Sequence, residues 1–212
     1  MITTEELIRK VRYLINETED DNGVSLITDD IRSINDTIME LLPQAVALVQ
    51  KQRNGRYVNV KTVLSDSDAL CESADGFMAV ALPSDFADIV SVRLDSWKIP
   101  CVEISSSNSA EALYKFDKGR VPVSSKPACV EDVTGNGQRI IKLYPSEESD
   151  TLNHFVYEAR FDVAEGLNVC DNSMADAVSY VCAALLYNVF ERYDAAKSFM
   201  SLATALCGDN GK

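Results

Sequence analysis

The chain opens with hydrophobic residues that recur at helical spacing. Thr3 and Glu6 stand three residues apart at the start of the first apolar stripe, which is the pattern of a capping box at a helix N-terminus. A second and longer stripe begins after Thr28 and predicts a second helix. Pro43 lies inside this stripe, so we expect the helix there either to kink or to divide in two.

From residue 56 to about residue 161 the apolar period falls to two, which predicts β-strands. Leu82-Pro83-Ser84-Asp85-Phe86 joins one apolar run to a second one through a turn. Thr134-Gly135-Asn136-Gly137 separates two further runs and predicts a hairpin, because Gly and Asn tolerate positive φ. Residues 97–104 form another strand candidate, in which Pro100 favours an edge or a bulge. These features indicate a mostly antiparallel sheet region.

The last part of the chain returns to helical spacing. Asp171-Asn172-Ser173 begins the final stripe, with Ser173 and Asp176 in capping positions, Tyr193-Asp194 predicts a break, and Gly208 predicts the end. Both helical ends of the chain carry apolar stripes that need a partner, so we expect them to pack on each other. The predicted fold class is α+β, with the terminal helices packed as a helical bundle around an inserted β-rich region. The predicted divisions of this one structural unit are residues 1–55, 56–165 and 166–212.

The net charge of −13 changes the list of plausible partners. Such an acidic chain is repelled by phosphates, which argues against sequence-specific DNA binding. Acidity has a use where DNA must slide past a protein, although solubility is the simpler explanation. No apolar run approaches the roughly 18 residues of a membrane span. The start of the chain lacks the basic and apolar stretches of a secretory signal, so synthesis in the cytoplasm is expected.

Cysteine chemistry is weakly supported by the spacing of the thiols. No pair forms a Cys-x-x-Cys motif, and His154 is the only histidine, so a zinc site is not predicted. Without an export signal we expect reduced thiols, with Cys182 and Cys207 acting as small buried hydrophobes on helices. The six cysteines are Cys71, Cys101, Cys129, Cys170, Cys182 and Cys207.

Motifs for catalysis or cofactor binding are also weak. Gly135 and Gly137 lack the third glycine of a dinucleotide fingerprint, because position 140 is an isoleucine. Cys170 with His154 is the strongest nucleophile and base pair available, and no Gly-x-Ser-x-Gly motif is present. The paired acids are interpreted mainly as solvated turn charges; they are Asp20 with Asp21, Glu131 with Asp132, and Glu147 with Glu148. We therefore predict no enzyme activity and no catalytic, cofactor or metal residues.

Aromatic residues are spread over several predicted elements. This scatter favours anchoring in cores and interfaces over a single stacking platform. The set comprises Trp97, Tyr144, Tyr157, Phe161, Tyr180, Tyr187, Phe190 and Tyr193.

The order of several short motifs resembles that in head-to-tail adaptors of short-tailed bacteriophages, the tail tubular protein A-like or portal-proximal ring proteins. The resemblance covers almost the whole chain, from N-terminal helices through β-strands to alanine-rich C-terminal helices. Each motif alone has little specificity, whereas the ordered set is moderately specific. The matching residues are Leu82 to Phe86, Lys126-Pro127, Leu143-Tyr144-Pro145, Tyr157, Ala183-Ala184 and Ala195-Ala196.

The resemblance implies a structural subunit of a dodecameric ring at the head-tail junction of a virion. It implies binding to the portal protein on one face and to a further tail protein on the other, without a cofactor or a membrane. DNA would pass through the channel without sequence-specific binding, and the subunit would reside in the host cytoplasm during assembly. The interface residues are not identified by the resemblance; residues 65–75 and 105–108 are predicted loops that could reach neighbouring subunits.

Two other functions remain open from the residues. One is a non-catalytic binding module, in which the β-rich region recognises a protein or carbohydrate ligand. The other is an enzyme that uses Cys170 or an acidic pair.

Overall fold

The structure is a computed structural model that describes residues 1–15, 28–52, 57–63, 71–74, 76–107, 121–169 and 171–208. The predicted α+β class is confirmed, since the described residues contain four long helices and two mostly antiparallel sheets. The chain divides into two compact units. The helical unit comprises Met1–Asn59 with Arg160–Lys212, and the β unit comprises Val60–Ala159.

The helical unit contains α1 (Thr4–Leu14), α2 (Thr28–Gln52), α3 (Asn172–Val189) and α4 (Tyr193–Gly208). The capping box is confirmed: the Thr3 hydroxyl accepts from the Glu6 backbone N–H, and the Glu6 carboxylate accepts from the Thr3 N–H. None of the helices in the described ranges is both long and apolar enough to cross a membrane.

α2 runs uninterrupted through Pro43, so the alternative of two separate helices was wrong. Proline removes one backbone hydrogen bond from a helix interior. Packing holds the helix together on both sides of this position, because Leu42, Ala45 and Val46 are completely or almost completely buried.

α3 begins with a different cap from the one predicted. Asp171 is the N-cap residue, and its Oδ1 accepts a hydrogen bond of 2.9 Å from the Ser173 N–H. Ser173 therefore lies inside the first turn. Both residue types are good caps, so their preference could not decide between neighbouring positions. The predicted division into two helices is confirmed, but the break lies at residues 190–192, and Tyr193 and Asp194, where it was predicted, begin α4.

One hydrophobic core joins all four helices. α3 lies at its centre and packs against α1, α2 and α4. Its alanines allow close approach of the neighbouring helices, and Ala175, Ala177, Ala183 and Ala184 are each fully buried.

The β unit contains two sheets, whose strand orders are β1-β8-β4 and β2-β3-β7-β6-β5. All pairings are antiparallel except β5 with β6. Both sheets contribute side chains to one buried cluster. The strands are β1 (Val60–Val63), β2 (Cys71–Ala74), β3 (Phe77–Ala81), β4 (Phe86–Leu94), β5 (Ile104–Ser106), β6 (Ala128–Val133), β7 (Arg139–Tyr144) and β8 (Leu152–Ala159).

Three local predictions in the β unit differ from the structure. No strand runs over residues 97–104: Cys101 forms an isolated bridge with Val92, and Ile104 is the first residue of β5. Pro100 has no N–H for a ladder, and the Trp97 N–H instead bonds the Leu94 carbonyl at 3.0 Å. The loop expected over residues 65–75 contains strand β2, and the loop expected over residues 105–108 begins inside strand β5, which ends at Ser106.

The predicted hairpin is confirmed, since β6 and β7 pair on either side of residues 134–138. The Gly137 N–H bonds the Thr134 carbonyl at 2.9 Å, and Gly137 has a φ of 85°. The positive φ explains why glycine stands at this turn.

Candidate interaction surfaces

The Leu82 to Phe86 motif carries the chain from one sheet to the other. β3, before it, belongs to the five-stranded sheet, and β4, after it, belongs to the three-stranded sheet. The Leu82 N–H bonds the Arg139 carbonyl at 3.1 Å, and the Phe86 N–H closes the turn on the Pro83 carbonyl at 3.0 Å. The motif is therefore a crossover within the β unit.

The Asp85 carboxylate in this crossover binds two side chains of the three-stranded sheet. Its Oδ2 accepts from Lys61 Nζ on β1 at 2.7 Å, and its Oδ1 accepts from the Tyr157 hydroxyl on β8 at 3.1 Å. The Lys61 and Asp85 side chains are about one third exposed, so water screens part of this attraction. The carboxylate holds the turn against two neighbouring strands.

Phe86 anchors the same crossover in the core. Its ring is almost fully buried and stacks on Tyr157 at a centroid distance of 5.8 Å. The Arg139 guanidinium lies 5.6 Å from the Phe86 ring centroid, within range of a cation–π contact.

The Leu143-Tyr144-Pro145 motif, at the end of β7, contributes to the packing of the β unit. Leu143 is fully buried, and the Tyr144 ring lies 5.3 Å from that of Phe77. The Pro145 carbonyl accepts a 2.7 Å hydrogen bond from Trp97 Nε1. The pKa of Tyr144 is raised, mainly because the hydroxyl is partly buried. The motif thus supplies the hydrogen-bond acceptor for the indole N–H of the buried Trp97.

The Glu131 and Asp132 pair lies in β6 and forms ion pairs with β7, which corrects the interpretation of this pair as turn charge. Arg139 Nε donates to Glu131 at 2.7 Å, and Lys142 Nζ donates to Asp132 at 2.5 Å. The hydrogen bond from Lys142, then that from the Val133 N–H, lowers the pKa of Asp132. Both acids therefore support the hairpin.

A serine and histidine contact joins β4 and β8. Ser91 Oγ lies 2.7 Å from His154 Nε2, and His154 Nδ1 lies 3.4 Å from the Asn153 side-chain oxygen. Burial, and then the charge of Arg93, lowers the pKa of His154 and favours the neutral imidazole. Sequence reasoning missed this contact because the two residues are far apart in the chain. Acyl transfer by such a pair would also need hydrogen-bond donors aimed at the developing oxyanion.

The cysteines behave as predicted wherever the structure describes their side chains. Cys101, Cys129, Cys182 and Cys207 are buried as reduced thiols. Burial raises the pKa of Cys182 to about 12, so this thiol is protonated and inert at neutral pH. Cys170, the candidate nucleophile, lies outside the described residues, as do Asp20 and Asp21.

A cavity of about 390 Å³ opens between α1 and α3 in the helical unit. We call it the α1–α3 pocket. Lys10 and Asp176 form an ion pair of 2.5 Å across it, and Ser179 contributes a buried position. Its remaining lining includes Arg9, Tyr13, Leu14 and Tyr180.

An exposed apolar protrusion lies at the turn between α3 and α4. Val189, Phe190 and Tyr193 are 56%, 48% and 58% exposed and fall within five consecutive residues. We call these three residues the aromatic knob. Glu191, between them, has a φ of 58°, a left-handed conformation that most residues avoid. The aromatics predicted as interface anchors thus divide, with Trp97 and Tyr157 in the core and Phe190 and Tyr193 at the surface.

No family model matches the chain, and the search of curated proteins found no match. Among the described residues, no group of three or more His, Cys, Asp or Glu side chains is arranged to hold a metal ion. The α1–α3 pocket and the aromatic knob are the two candidate contact surfaces of the helical unit.

Proposed function

We propose that this chain is a structural subunit of the head-to-tail connector of a short-tailed bacteriophage. In this proposal it assembles as a dodecameric ring at the head-tail junction of the virion. One face binds the portal protein and the opposite face binds the next tail protein. The subunit accumulates in the host cytoplasm before assembly and performs no catalysis.

The observation that carries the proposal is where the motifs of the resemblance lie. Asp85, Phe86 and Tyr157 contact one another directly, although the first two are far from the third in sequence. Motifs that define a crossover and its core are those that a shared scaffold would retain. Their placement supports a resemblance at the level of the fold, beyond chance similarity of short strings.

The architecture suits a ring subunit. In the proposal the four helices form a bundle that packs side by side with the bundles of neighbouring subunits around the channel. The β unit then presents strands and turns to the portal or to the tail. A heterologous contact repeated around an axis closes into a ring without self-complementary patches.

The charge of the chain suits a DNA conduit. A net charge of −13 disfavours tight binding to phosphates, so DNA leaving the capsid would slide through an acidic channel. In the assembled ring, Asp and Glu should outnumber Lys and Arg on the channel wall.

Mass measurement with and without the portal tests this function. We would purify the chain, add the portal protein encoded in the same genome, and measure the particle by native mass spectrometry and electron microscopy. A ring of about twelve copies seated on the portal is the expected result. A chain that stays monomeric with the portal and is missing from purified virions would overturn the proposal. A monomer that instead binds glycans would support the binding-module alternative.

A further inference from the structure

The α1–α3 pocket combines the properties of a recognition site. Its volume of about 390 Å³ falls within the roughly 300–1,000 Å³ of ligand sites in proteins. Tyr13 is 71% exposed, and Tyr180 is held in place by stacking on Phe199 at 6.0 Å. Two tyrosine rings at one opening favour an aromatic occupant, because offset and edge-to-face ring pairs are attractive.

The rim of the pocket carries positive charge in an acidic protein. Lys10 is already paired with Asp176, whereas Arg9 is exposed and forms no ion pair among the described residues. A guanidinium at an aromatic pocket binds a carboxylate well, since both can form two parallel hydrogen bonds. The chemistry therefore fits an aromatic side chain that has a carboxylate beside it.

The aromatic knob has this composition. Phe190 and Tyr193 are exposed rings, with Glu191 and Arg192 between them, and neither charge has an ion pair among the described residues. Glu191, next to Phe190, is the group whose charge is opposite to that of Arg9. Large exposed aromatics are the residue type most often found as interface anchors. The left-handed backbone of Glu191 ends α3: the Glu191 N–H bonds the Asn188 carbonyl at 3.1 Å and the Arg192 N–H bonds the Tyr187 carbonyl at 2.9 Å, which places Phe190 and Tyr193 on either side of the turn.

The pocket lies along the first half of α3 and the knob lies at its C-terminal end. Asp176 and Tyr180 precede Val189, the last residue of the helix, by about 20 Å and about 14 Å along the axis at 1.5 Å per residue. Both features belong to the helical unit. A copy therefore cannot fill its own pocket with its own knob, whereas a second copy displaced along α3 can.

We propose that the aromatic knob of one copy inserts into the α1–α3 pocket of the next. Phe190 or Tyr193 packs between Tyr13 and Tyr180, and Glu191 pairs with Arg9. Such a contact is heterologous, so it propagates from copy to copy and generates a ring when its rotation closes. The inference rests on the proposed ring function and assigns the surfaces that join its subunits.

Complementary half-site variants provide the test. The knob variant is Phe190→Ser with Tyr193→Ser, and the pocket variant is Arg9→Glu with Tyr13→Ser. These four residues are exposed, so the fold should survive, and circular dichroism with thermal melting checks it. Lys98→Glu with Val133→Ser is the matched control, because it changes an exposed cation and an exposed apolar residue in the β unit.

Sedimentation velocity over micromolar to near-millimolar concentrations gives the readout. Wild type and control should associate with increasing concentration, and each variant alone should bind at least about tenfold more weakly. An equimolar mixture of the two variants retains one intact knob and one intact pocket per pair. It should therefore form a dimer and nothing larger.

Three results would overturn the contact: a wild type that stays monomeric throughout, variants that associate like the wild type, or a mixture that forms no dimer. These results are distinguishable from failure of the proposed function. Rings that form on the portal with both variants would leave the connector role in place and remove this contact from it. Knob-to-pocket association without any binding to the portal would support this contact and would count against the connector role.

Discussion

The hydroxyl of Tyr157 donates a 3.1 Å hydrogen bond to Asp85, a residue at the crossover between the two sheets. The same carboxylate accepts from Lys61, so one side chain ties the crossover to both β1 and β8. These two contacts within the fold give a structural reason for an aspartate at position 85 of the Leu82 to Phe86 motif.

Replacing Asp85 should destabilise the β unit. Asp85→Ala removes the hydrogen bond from Tyr157 and the partly screened ion pair with Lys61, and we expect a loss of about 1–2 kcal/mol in the free energy of unfolding. Tyr157→Phe removes only the hydrogen bond and should cost about 1 kcal/mol. Urea denaturation followed by fluorescence measures both. Glu148→Ala, at an exposed position, is the control, and equal stabilities of it and Asp85→Ala would contradict the assignment.

Gly166 should tolerate substitution less well than Gly137. Both have positive φ, but a Cβ at Gly166 would lie 2.6 Å from the Ile2 carbonyl oxygen, whereas a Cβ at Gly137 meets nothing within 4 Å. Gly137→Ala therefore reports the backbone strain alone, about 1 kcal/mol. Gly166→Ala should cost about 1–3 kcal/mol more, because the Ile2–Leu167 pairing must move. Thermal melts of the two variants give this difference, and equal losses would refute it.

His154 should titrate below its ordinary pKa of 6.5, owing first to burial and then to Arg93. The unfolded chain then takes up the proton at a higher pH than the folded chain does. The contribution of this residue to stability is therefore complete above pH 6.5 and is lost as the pH falls through the folded pKa. Proton NMR of the only histidine measures the midpoint directly. Arg93→Gln should raise the midpoint and Arg192→Gln should not; a wild-type midpoint at or above 6.5 would exclude this account.

Cys182 should resist alkylation in the folded protein. Its thiol is fully buried, so the reagent cannot reach it. Its pKa is raised to about 12, so at pH 8 almost none of it is in the reactive thiolate form. Iodoacetamide followed by peptide mass spectrometry should find this residue unmodified, and modified after unfolding in urea. Labelling of the native protein at the rate of the urea-unfolded sample would show that the α2–α3 packing opens readily.

Glu191→Gly should stabilise the isolated protein. Glycine adopts a φ of 58° without the steric conflict of a Cβ, so the gain is up to about 1 kcal/mol. The same change should weaken self-association if the carboxylate pairs with Arg9. Thermal melting and sedimentation velocity separate the two effects, and Glu165→Gly, an exposed acid in another turn, is the comparison.

The features that the sequence predicted correctly are those fixed by neighbouring residues. Thr3 and Glu6 cap a helix together, and Gly137 closes a hairpin, because each pattern needs only a few residues of context. The sequence predicted the N-cap of α3 at Ser173, whereas the structure has it at Asp171. Both residues are good caps and lie within one turn of each other, so local preference could not choose between them. Packing overrode a local rule at Pro43, where buried residues on both sides keep α2 continuous.

The candidate surfaces could not be found in the same way. Arg9 and Tyr13 belong to α1, and Asp176 and Tyr180 belong to α3, so the pocket exists only after the two helices pack. The exposed positions of Phe190 and Tyr193 depend on where α3 ends, which periodicity does not fix to one residue. The Ser91 and His154 contact likewise depends on the register of β4 with β8.

The helical unit is split in sequence by the β unit, and the split has a consequence for how the protein is made. Asn59, where the first segment ends, donates its side-chain amide to the carbonyl of Arg160, where the second begins, at 3.0 Å. On the ribosome, α1 and α2 emerge before the β unit and must wait for α3, while the β unit can fold as soon as β8 leaves the exit tunnel. The nascent chain therefore carries an uncovered apolar helix pair through much of translation, which makes that pair the part of the polypeptide for a chaperone to bind.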